Sequence, residues 1–400
     1  MSASHSSASD SGGPAILPQP PDELKANSQR LTELLSSRIA ANGPLSIAEY
    51  MESALFEPGI GYYSAGLSKL GSGGDFTTAP ELGDVFARCL VHAMQPVIPQ
   101  LDGGFSILEI GAGSGRLARD ILTALTAAPP VQYLILERSA DLRQRQQQQL
   151  SQLPGALRKR VVWLDQPPAG MRGVILANEV ADALPVERFQ IRSGTVLQQV
   201  VDVSNDGLVT AFRPAPKALE NAVQALLQRL PDGLPDGYCS EINPWLGAWL
   251  ESIVGGLECG AVLLADYGYP EREYYSPRRN SGTLRCFYRH RMHENPLLWP
   301  GLQDITASVN FTELARAGAA SGLEFSGYTS QAGFLLDAGL EQVLSGMETL
   351  PEQQRLALSE QVKRLTLPGE MGERYQLLSF KRNLQVPLAG FTGLDLSYRL

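Results

Sequence analysis

The feature that most constrains the fold is a series of short apolar runs separated by stretches of helical periodicity. Because strands that alternate with helices form parallel sheets with crossover connections, the pattern predicts an α/β fold. We expect a doubly wound, mostly parallel sheet of seven strands with helices on both faces. The predicted strands are Phe105–Ile110, Tyr133–Leu136, Val161–Leu164, Gly173–Ala177, Ala261–Ala265, and a later pair near Leu323–Thr329 and Tyr375–Lys381.

The rest of the chain divides into a tail, an N-terminal region and two insertions. Residues 1–20 are rich in Ser and Pro and predict a disordered tail. Residues 21–100 predict a helical and glycine-rich region, in which Ser46 and Glu49 fit a capping box. Residues 101–400 carry the sheet, with insertions at about 186–256 and 269–310. The first insertion contains a predicted hairpin that turns at Asn205-Asp206-Gly207.

Composition excludes several classes of protein. The 400 residues carry 33 Lys and Arg against 42 Asp and Glu, a net charge of −9, which disfavours a surface built for nucleic-acid phosphates. The four cysteines and four histidines show no metal-ligand spacing, so we predict no metal site and a reducing compartment. No apolar run is long enough for a membrane span. The first residues lack a targeting pattern, so a cytoplasmic, bacterial protein is expected.

The first predicted strand runs into the glycine turn Gly111-x-Gly113-x-Gly115, which also contains Ala112. Glycines allow positive φ angles and the close approach of a ligand to the backbone. A tight turn without a ligand is the simpler interpretation. However, the spacing is tighter than that of dinucleotide sites, and the acidic Glu109 precedes it. A helix N-terminus at such a turn favours phosphates, whereas an acid favours a cationic ligand.

A second acid, Glu137, ends the next strand about 20 residues beyond the turn. An acid at that position accepts hydrogen bonds from a ribose diol. S-adenosylmethionine combines a ribose with a sulfonium and an ammonium group, so we predict that it is the cofactor, with an NAD-type ligand as the weaker alternative. Asp165, after the third strand, is predicted to contact the adenine or, alternatively, to cap the next helix.

Polar residues at the ends of later strands predict the acceptor side of the site. Ligands of doubly wound sheets bind at the carboxyl ends of the strands. Asn178 and Glu179 end the fourth strand and are expected to face the reacting methyl group, or to belong to a helix cap in the case of Asn178. Asp266 ends the fifth strand, and Glu241 precedes it. Three clustered carboxylates suit a cationic acceptor such as a guanidinium.

The stretch 271–291 mixes six arginines with aromatic residues. Such a mixture binds RNA by charge and stacking in some proteins. Such a stretch more often forms a solvated loop or the edge of a protein-binding surface. We therefore regard nucleic acid as the less favoured partner.

With these residues assembled, the chain resembles the MidA family of methyltransferases, whose mitochondrial members are arginine methyltransferases that assist respiratory complex I assembly. The resemblance rests on segments spread from about residue 45 to 382, and the most specific of them is residues 74–81. They are residues 74–81, Glu109–Gly115, Ala177–Glu179 with Asp182–Pro185, Asp266–Gly268, Gly282–Leu284, Gly301–Thr306 and Met371–Arg374.

The resemblance implies a class I, Rossmann-like methyltransferase core with an N-terminal lid over the cofactor. Asp75, Thr77, Thr78 and Glu81 then become cofactor-binding candidates. It also implies methylation of an arginine in a protein, such as a respiratory-complex subunit. Two alternatives stay open: a scaffold protein that binds S-adenosylmethionine, and a methyltransferase for a small molecule or RNA. The oligomeric state also stays open, a homodimer included.

Overall fold

The computed structural model describes residues 17–65 and 77–400. The predicted tail and Asp75 therefore fall outside the described residues, except for residues 17–20. The strands are β1 Leu45–Ser46, β2 Ser106–Ile110, β3 Gln132–Leu136, β4 Val161–Leu164, β5 Met171–Asn178, β6 Glu187–Arg192, β7 Thr195–Ser204, β8 Gly207–Pro214, β9 Cys239–Ile242, β10 Leu257–Tyr269, β11 Arg285–Tyr288, β12 Arg291–His293, β13 Asp304–Thr306, β14 Val309–Asn310, β15 Glu324–Ser330 and β16 Tyr375–Arg382.

Fifteen α-helices alternate with these strands along the described residues. They are α1 Asp22–Asn42, α2 Ile47–Phe56, α3 Ala79–Leu82, α4 Val85–Met94, α5 Arg116–Ala124, α6 Ala140–Leu150, α7 Gly155–Arg158, α8 Lys217–Arg229, α9 Leu246–Val254, α10 Glu271–Tyr274, α11 Phe311–Ala320, α12 Gln331–Asp337, α13 Leu340–Val343, α14 Glu352–Thr366 and α15 Met371–Arg374. Short 3-10 turns lie at Ile98–Gln100, Ala181–Ala183, Met347–Thr349 and Ser397–Arg399. Within the described ranges, no helix combines the length and apolarity needed to cross a membrane.

The central sheet confirms the predicted strands and their class. Its strands lie in the order β15-β16-β10-β5-β2-β3-β4, and the two-residue β14 pairs with β10. The pairs from β10 to β4 are parallel, whereas β16 runs antiparallel to both its neighbours. The sheet therefore has eight strands in its described part when β14 is included, one more than predicted. Its buried residues form one hydrophobic cluster on each face.

The order of the strands reverses between β2 and β5. From β2 the chain moves outward to β3 and β4, and from β5 it moves in the opposite direction to β10. The connections that leave the carboxyl ends of β2 and β5 therefore diverge, which opens a crevice at that edge of the sheet.

Strand β1 and helices α1 and α2 of the N-terminal region form one accessory structure with the two insertions, whereas α4 packs against the central sheet. Strand β1 pairs with β7 of the first insertion, in a sheet of order β1-β7-β6-β9 with β8 beside β7. The predicted hairpin is confirmed as β7 and β8. Helices α1 and α2 share a hydrophobic cluster with residues of both insertions, including Val201 and Ile305. These segments are distant in sequence, and strand pairing and a common apolar core bring them together.

Ser46 begins α2 as the sequence predicts. Its side chain accepts a hydrogen bond from the Glu49 amide at 3.2 Å, and Oε2 of Glu49 accepts one from the Ser46 amide at 2.7 Å. These two bonds satisfy amides that have no partner within the helix. They fix the first turn of α2 directly after strand β1.

We expect Ser46→Ala to lower the free energy of unfolding by about 1 kcal/mol, because the first turn of α2 loses its cap. Urea denaturation followed by circular dichroism measures the change. Ser37→Ala, on the exposed face of α1, is the matched control and should have a smaller effect. Equal stabilities of the two variants would show that the cap contributes nothing.

Candidate active site

A cavity of about 720 Å³ lies at the carboxyl ends of β2 to β5, within the size range of small-molecule sites. The structure brings together there most of the residues that the sequence predicted for the cofactor and the acceptor. The predicted residues that line it are Thr78, Glu81, Glu109, Gly111, Ala112, Gly113, Glu137, Asp165, Asn178 and Glu179. Thr77, Gly115, Glu241 and Asp266 are described but do not line it.

The glycine turn connects β2 to α5 with positive φ angles of 62° at Gly111, 53° at Gly113 and 82° at Gly115. This is the left-handed region, which residues with a Cβ adopt at a cost. A Cβ at Gly115 would lie 3.1 Å from Cα of Gln146, so this glycine allows α6 to pack closely. Gly111 and Gly113 expose the backbone to the cavity, whereas Gly115 lies outside the cavity and packs against Gln146 of α6.

Glu109 is the last but one residue of β2 and is 3% exposed. Its Oε2 accepts a hydrogen bond from the Tyr133 hydroxyl at 2.8 Å. Burial raises the pKa of Glu109 to about 7, although the Tyr133 hydroxyl opposes the shift. A cationic ligand in the cavity would favour the ionised carboxylate, as the sequence predicted for an acid at this position.

Glu137 lies at the end of β3 and is also buried. Oε1 accepts from the Ser139 amide at 2.9 Å, and Oε2 accepts from Nε2 of Gln146 at 3.0 Å. A carboxylate has about four acceptor directions, so this one keeps capacity for a diol in the cavity. Asp165 lies at the rim, is exposed, and accepts a hydrogen bond from Arg143 at 2.6 Å.

Gln146 is a site residue that the sequence did not reveal, since it lies within a glutamine-rich run. It is fully buried, and its Nε2 also donates to the Gly113 carbonyl at 3.1 Å. Its Oε1 accepts from the Trp163 indole at 3.0 Å. One side chain thus connects the glycine turn with Glu137, and no local pattern distinguishes it from its exposed neighbours.

The N-terminal region covers the cavity from two directions. Ser114 donates to Oε1 of Glu81, and Arg116 donates to the Glu81 carbonyl at 2.8 Å. On the other side, Ser139 donates to the Tyr63 carbonyl at 2.5 Å. Tyr63, Thr78 and Glu81 line the cavity, which supports the prediction that this region closes over it.

Glu179 follows β5 and has a φ of 54°, an uncommon conformation for a residue with a Cβ. Its Oε1 accepts from the Ala79 amide at 3.3 Å and from Nδ2 of Asn178 at 3.2 Å. Its Oε2 accepts from the Tyr375 hydroxyl at 3.0 Å. Burial and the charge of Asp182 raise the pKa of Glu179 to about 8. A buried carboxylate that is held by three donors, on a residue with an uncommon backbone conformation, is typical of a functional site.

Asp266 was predicted to act at the rim, but its carboxylate holds the backbone instead. Its Oδ2 accepts from the amides of Val180, Ala181 and Asp182 at 3.0–3.2 Å. It is 3% exposed and does not line the cavity. The structure therefore corrects its role: Asp266 shapes the loop that follows Glu179, because three converging amides attract the carboxylate inward.

Glu241 is also corrected. It lies in β9 of the first insertion, fully buried, where Oε1 pairs with Arg188 at 2.9 Å. Its Oε2 accepts from the Thr283 amide at 2.7 Å. A buried carboxylate requires such partners, and they hold Glu241 within the accessory structure rather than at the cavity. The position of β9 in the insertion's sheet could not be deduced from its sequence neighbours.

The arginine-rich stretch 271–291 supplies no residue to the cavity lining. The guanidinium of Arg279 lies over the Tyr269 ring at 3.9 Å, and Arg285 pairs with Glu294 at 3.4 Å. Tyr274 and Tyr275 are buried. These contacts belong to the internal structure of the second insertion.

Comparisons with known proteins agree with this geometry. A family model of S-adenosyl-L-methionine-dependent methyltransferases matches residues 85–329. A Burkholderia thailandensis protein crystallised with S-adenosyl-homocysteine is 37% identical, with a TM-score of 0.89 over 96% of this chain and 100% of that one. The Rossmann-like core and its cavity define a class I methyltransferase. The chain belongs to the family of S-adenosyl-L-methionine-dependent methyltransferases, which confirms the sequence resemblance.

Two animal relatives extend the similarity over almost the whole chain. The protein arginine methyltransferase NDUFAF7 homolog of Drosophila melanogaster, a mitochondrial protein, is 30% identical over 90% of this chain and 87% of its own. NDUFAF7 of Danio rerio is 28% identical over 90% of this chain and 92% of its own. The similarity therefore includes the accessory structure as well as the core.

The residues that line the cavity suit the cofactor. Gly111 and Gly113 leave backbone exposed, Glu109 places a buried acid beside them, and Glu137 retains acceptor capacity for a diol. These groups match the cationic and ribose parts of S-adenosylmethionine. When bound, the cofactor supplies an electrophilic methyl group on a sulfonium centre.

We expect Gly113→Val to abolish measurable cofactor binding, because a branched side chain at a φ of 53° would strain the turn and enter the cavity. Isothermal titration calorimetry with S-adenosyl-homocysteine measures the affinity. Gly155→Val is the control, since among the described residues no heavy atom lies within 4 Å of a Cβ there. A near-normal affinity in a folded Gly113→Val protein would contradict the assigned turn.

Glu109 predicts that cofactor affinity rises with pH. Its pKa is raised to about 7, so the carboxylate that attracts a cation forms as the pH increases through 7. We expect tighter binding of S-adenosylmethionine at pH 7.5 than at pH 6, measured by calorimetry. Glu109→Gln should bind more weakly and lose most of this dependence. An unchanged slope in the variant would assign the titration to another group.

Proposed function

We propose that this methyltransferase transfers the methyl group to the guanidinium of an arginine side chain in a protein. The observation that carries the proposal is the position of Glu179, which lines the same cavity as the glycine turn. The animal relatives named protein arginine methyltransferases support the choice of acceptor.

The charges around Glu179 favour a cationic acceptor over a neutral one. Asp182 and Asp266 lie behind it, and burial raises the pKa of each. A neutral substrate would leave this group of acids with their mutual repulsion, whereas a guanidinium offsets it. A guanidinium also forms charge-assisted hydrogen bonds to a carboxylate with well-defined geometry.

Glu179 can perform two tasks in the transfer. Its carboxylate binds the guanidinium and orients one nitrogen towards the methyl group. It then accepts the proton that this nitrogen loses, and a pKa of about 8 suits an exchange of protons near neutral pH. Asn178 and the Ala79 amide hold Oε1, so Glu179 is oriented before the acceptor arrives.

The N-terminal region supports the same chemistry by excluding water. Tyr63, Pro80 and Glu81 line the cavity, and Glu81 is hydrogen-bonded to the glycine turn through Ser114. Removal of water strengthens the electrostatic attraction between a guanidinium and a carboxylate. It also protects a reactive sulfonium from hydrolysis.

We expect Glu179→Gln to bind S-adenosyl-homocysteine normally but to transfer methyl groups at least about 100-fold more slowly, the usual effect of removing a general base. The assay combines radiolabelled S-adenosylmethionine with lysate from a strain that lacks the gene, and then locates methylarginine by mass spectrometry. Glu258→Gln, an exposed carboxylate away from the cavity, is the control.

Three outcomes separate the interpretations. Label on protein arginine that disappears with Glu179→Gln supports the proposal. Label on RNA or a small metabolite overturns the choice of acceptor while leaving the cofactor assignment intact. Binding of the cofactor without any labelled product would favour a scaffold protein instead of an enzyme that methylates arginine.

A further inference from the structure

Tyr375 begins β16, the strand that runs against the direction of β10 and β5. Because β16 is antiparallel, its first residue lies at the edge of the sheet where the parallel strands end. Tyr375 pairs with Tyr267, and the backbone amide of Glu179 donates to the Ala265 carbonyl of the same strand β10 at 2.8 Å. The register therefore places Tyr375 beside Glu179.

The segment Met371–Arg374 fixes this start point. It forms α15, directly before β16. A Cβ at Gly372 would lie 2.1 Å from the Thr366 carbonyl oxygen, so only glycine permits this close contact with the end of α14. The segment supports the resemblance described above, and its place in the fold is to deliver Tyr375 to the edge of the sheet.

The Tyr375 hydroxyl donates to Oε2 of Glu179 at 3.0 Å. Its ring packs edge-on against Tyr267, with centroids 5.8 Å apart and planes at 69°. Tyr375 does not line the cavity. Its effect on an acceptor must therefore pass through Glu179.

We propose that Tyr375 is a positioning residue that holds Oε2 of Glu179 and so directs its carboxylate at the acceptor. This proposal rests on the proposed function of Glu179. Two donors already hold Oε1, and a carboxylate has about four acceptor directions, so Tyr375 leaves a single direction on Oε2 for the acceptor. Without Tyr375, Oε2 has no protein donor within the described residues, and only the two bonds to Oε1 still orient the carboxylate.

Glu179 is surrounded by two other carboxyl groups and a second tyrosine, none of which the variants proposed here replace. Asp182 and Asp266 face it from the loop after β5 and from β10, and Tyr267 lies beside Tyr375. The Tyr375 hydroxyl stabilises the ionised form of Glu179 and lowers its pKa against the effect of burial. Its removal therefore raises the pKa of Glu179 further.

The test compares Tyr375→Phe with Tyr328→Phe. Tyr328 lies in the neighbouring strand β15 and is fully buried, and within the described part of the chain its hydroxyl has no hydrogen-bond partner. Both variants lose one buried hydroxyl, but only the first loses a contact with Glu179. For each protein, ¹³C NMR follows the titration of the Glu179 carboxyl, assigned with Glu179→Gln, and steady-state kinetics gives kcat and KM for the methylated acceptor.

We expect Tyr375→Phe to raise the pKa of Glu179, to lower kcat by about tenfold, in line with the loss of a hydrogen bond to a charged group, and to leave cofactor affinity unchanged. Its pH–rate profile should move to higher pH. Tyr328→Phe should behave like the unmodified protein in the titration and in kcat. An unchanged Glu179 titration in Tyr375→Phe, or the same loss of kcat in both variants, would overturn the proposal.

The two readouts keep this proposal separate from the proposed function. The NMR titration requires no acceptor, so it tests the contact between Tyr375 and Glu179 even if arginine is not methylated. If the titration shifts but Glu179→Gln transfers methyl groups at the normal rate, the contact exists and the role of Glu179 fails. In that case Tyr375 cannot be a positioning residue for the transfer, and the proposal fails with it.

Discussion

The parallel pairing of β5 between β2 and β10 is the constraint on which the site depends. A Cβ at Gly173 of β5 would lie 1.8 Å from the Ser106 carbonyl oxygen, so the neighbouring strand β2 lies very close. At the opposite end of these strands the connections diverge and open the cavity. The register that begins at Gly173 thus places Glu109 and Glu179 at the ends of adjacent strands, beside a common space.

The acids at this edge of the sheet have different tasks because their partners differ. Asp266 accepts hydrogen bonds from three backbone amides and shapes a loop. Glu179 lines the cavity, and Asn178, Ala79 and Tyr375 hold its carboxylate. Glu109 and Glu137 face the cofactor end of the cavity. Burial raises the pKa of Glu109 and Glu179, so a cationic ligand gains affinity by stabilising their ionised forms.

Most of the core was predictable because its signals are local. Apolar runs predicted β2 to β5, β10, β15 and β16 to within a few residues, and the capping box predicted the start of α2. The glycine turn and the acids that end strands were predictable for the same reason. Gln146 and Glu241 were not, since the first resembles its exposed neighbours and the second depends on a partner strand distant in sequence.

The sequence by itself therefore determined seven strands of the central sheet, the cofactor turn and the family, because each signal is carried by residues that are neighbours along the chain. Only the tertiary structure decided which carboxylates reach the cavity. Glu179, Glu241 and Asp266 look alike in sequence, but Arg188 holds one and three amides of a loop hold another. It also joined helices α1 and α2 to both insertions, since a shared apolar core is formed only after distant segments have folded together.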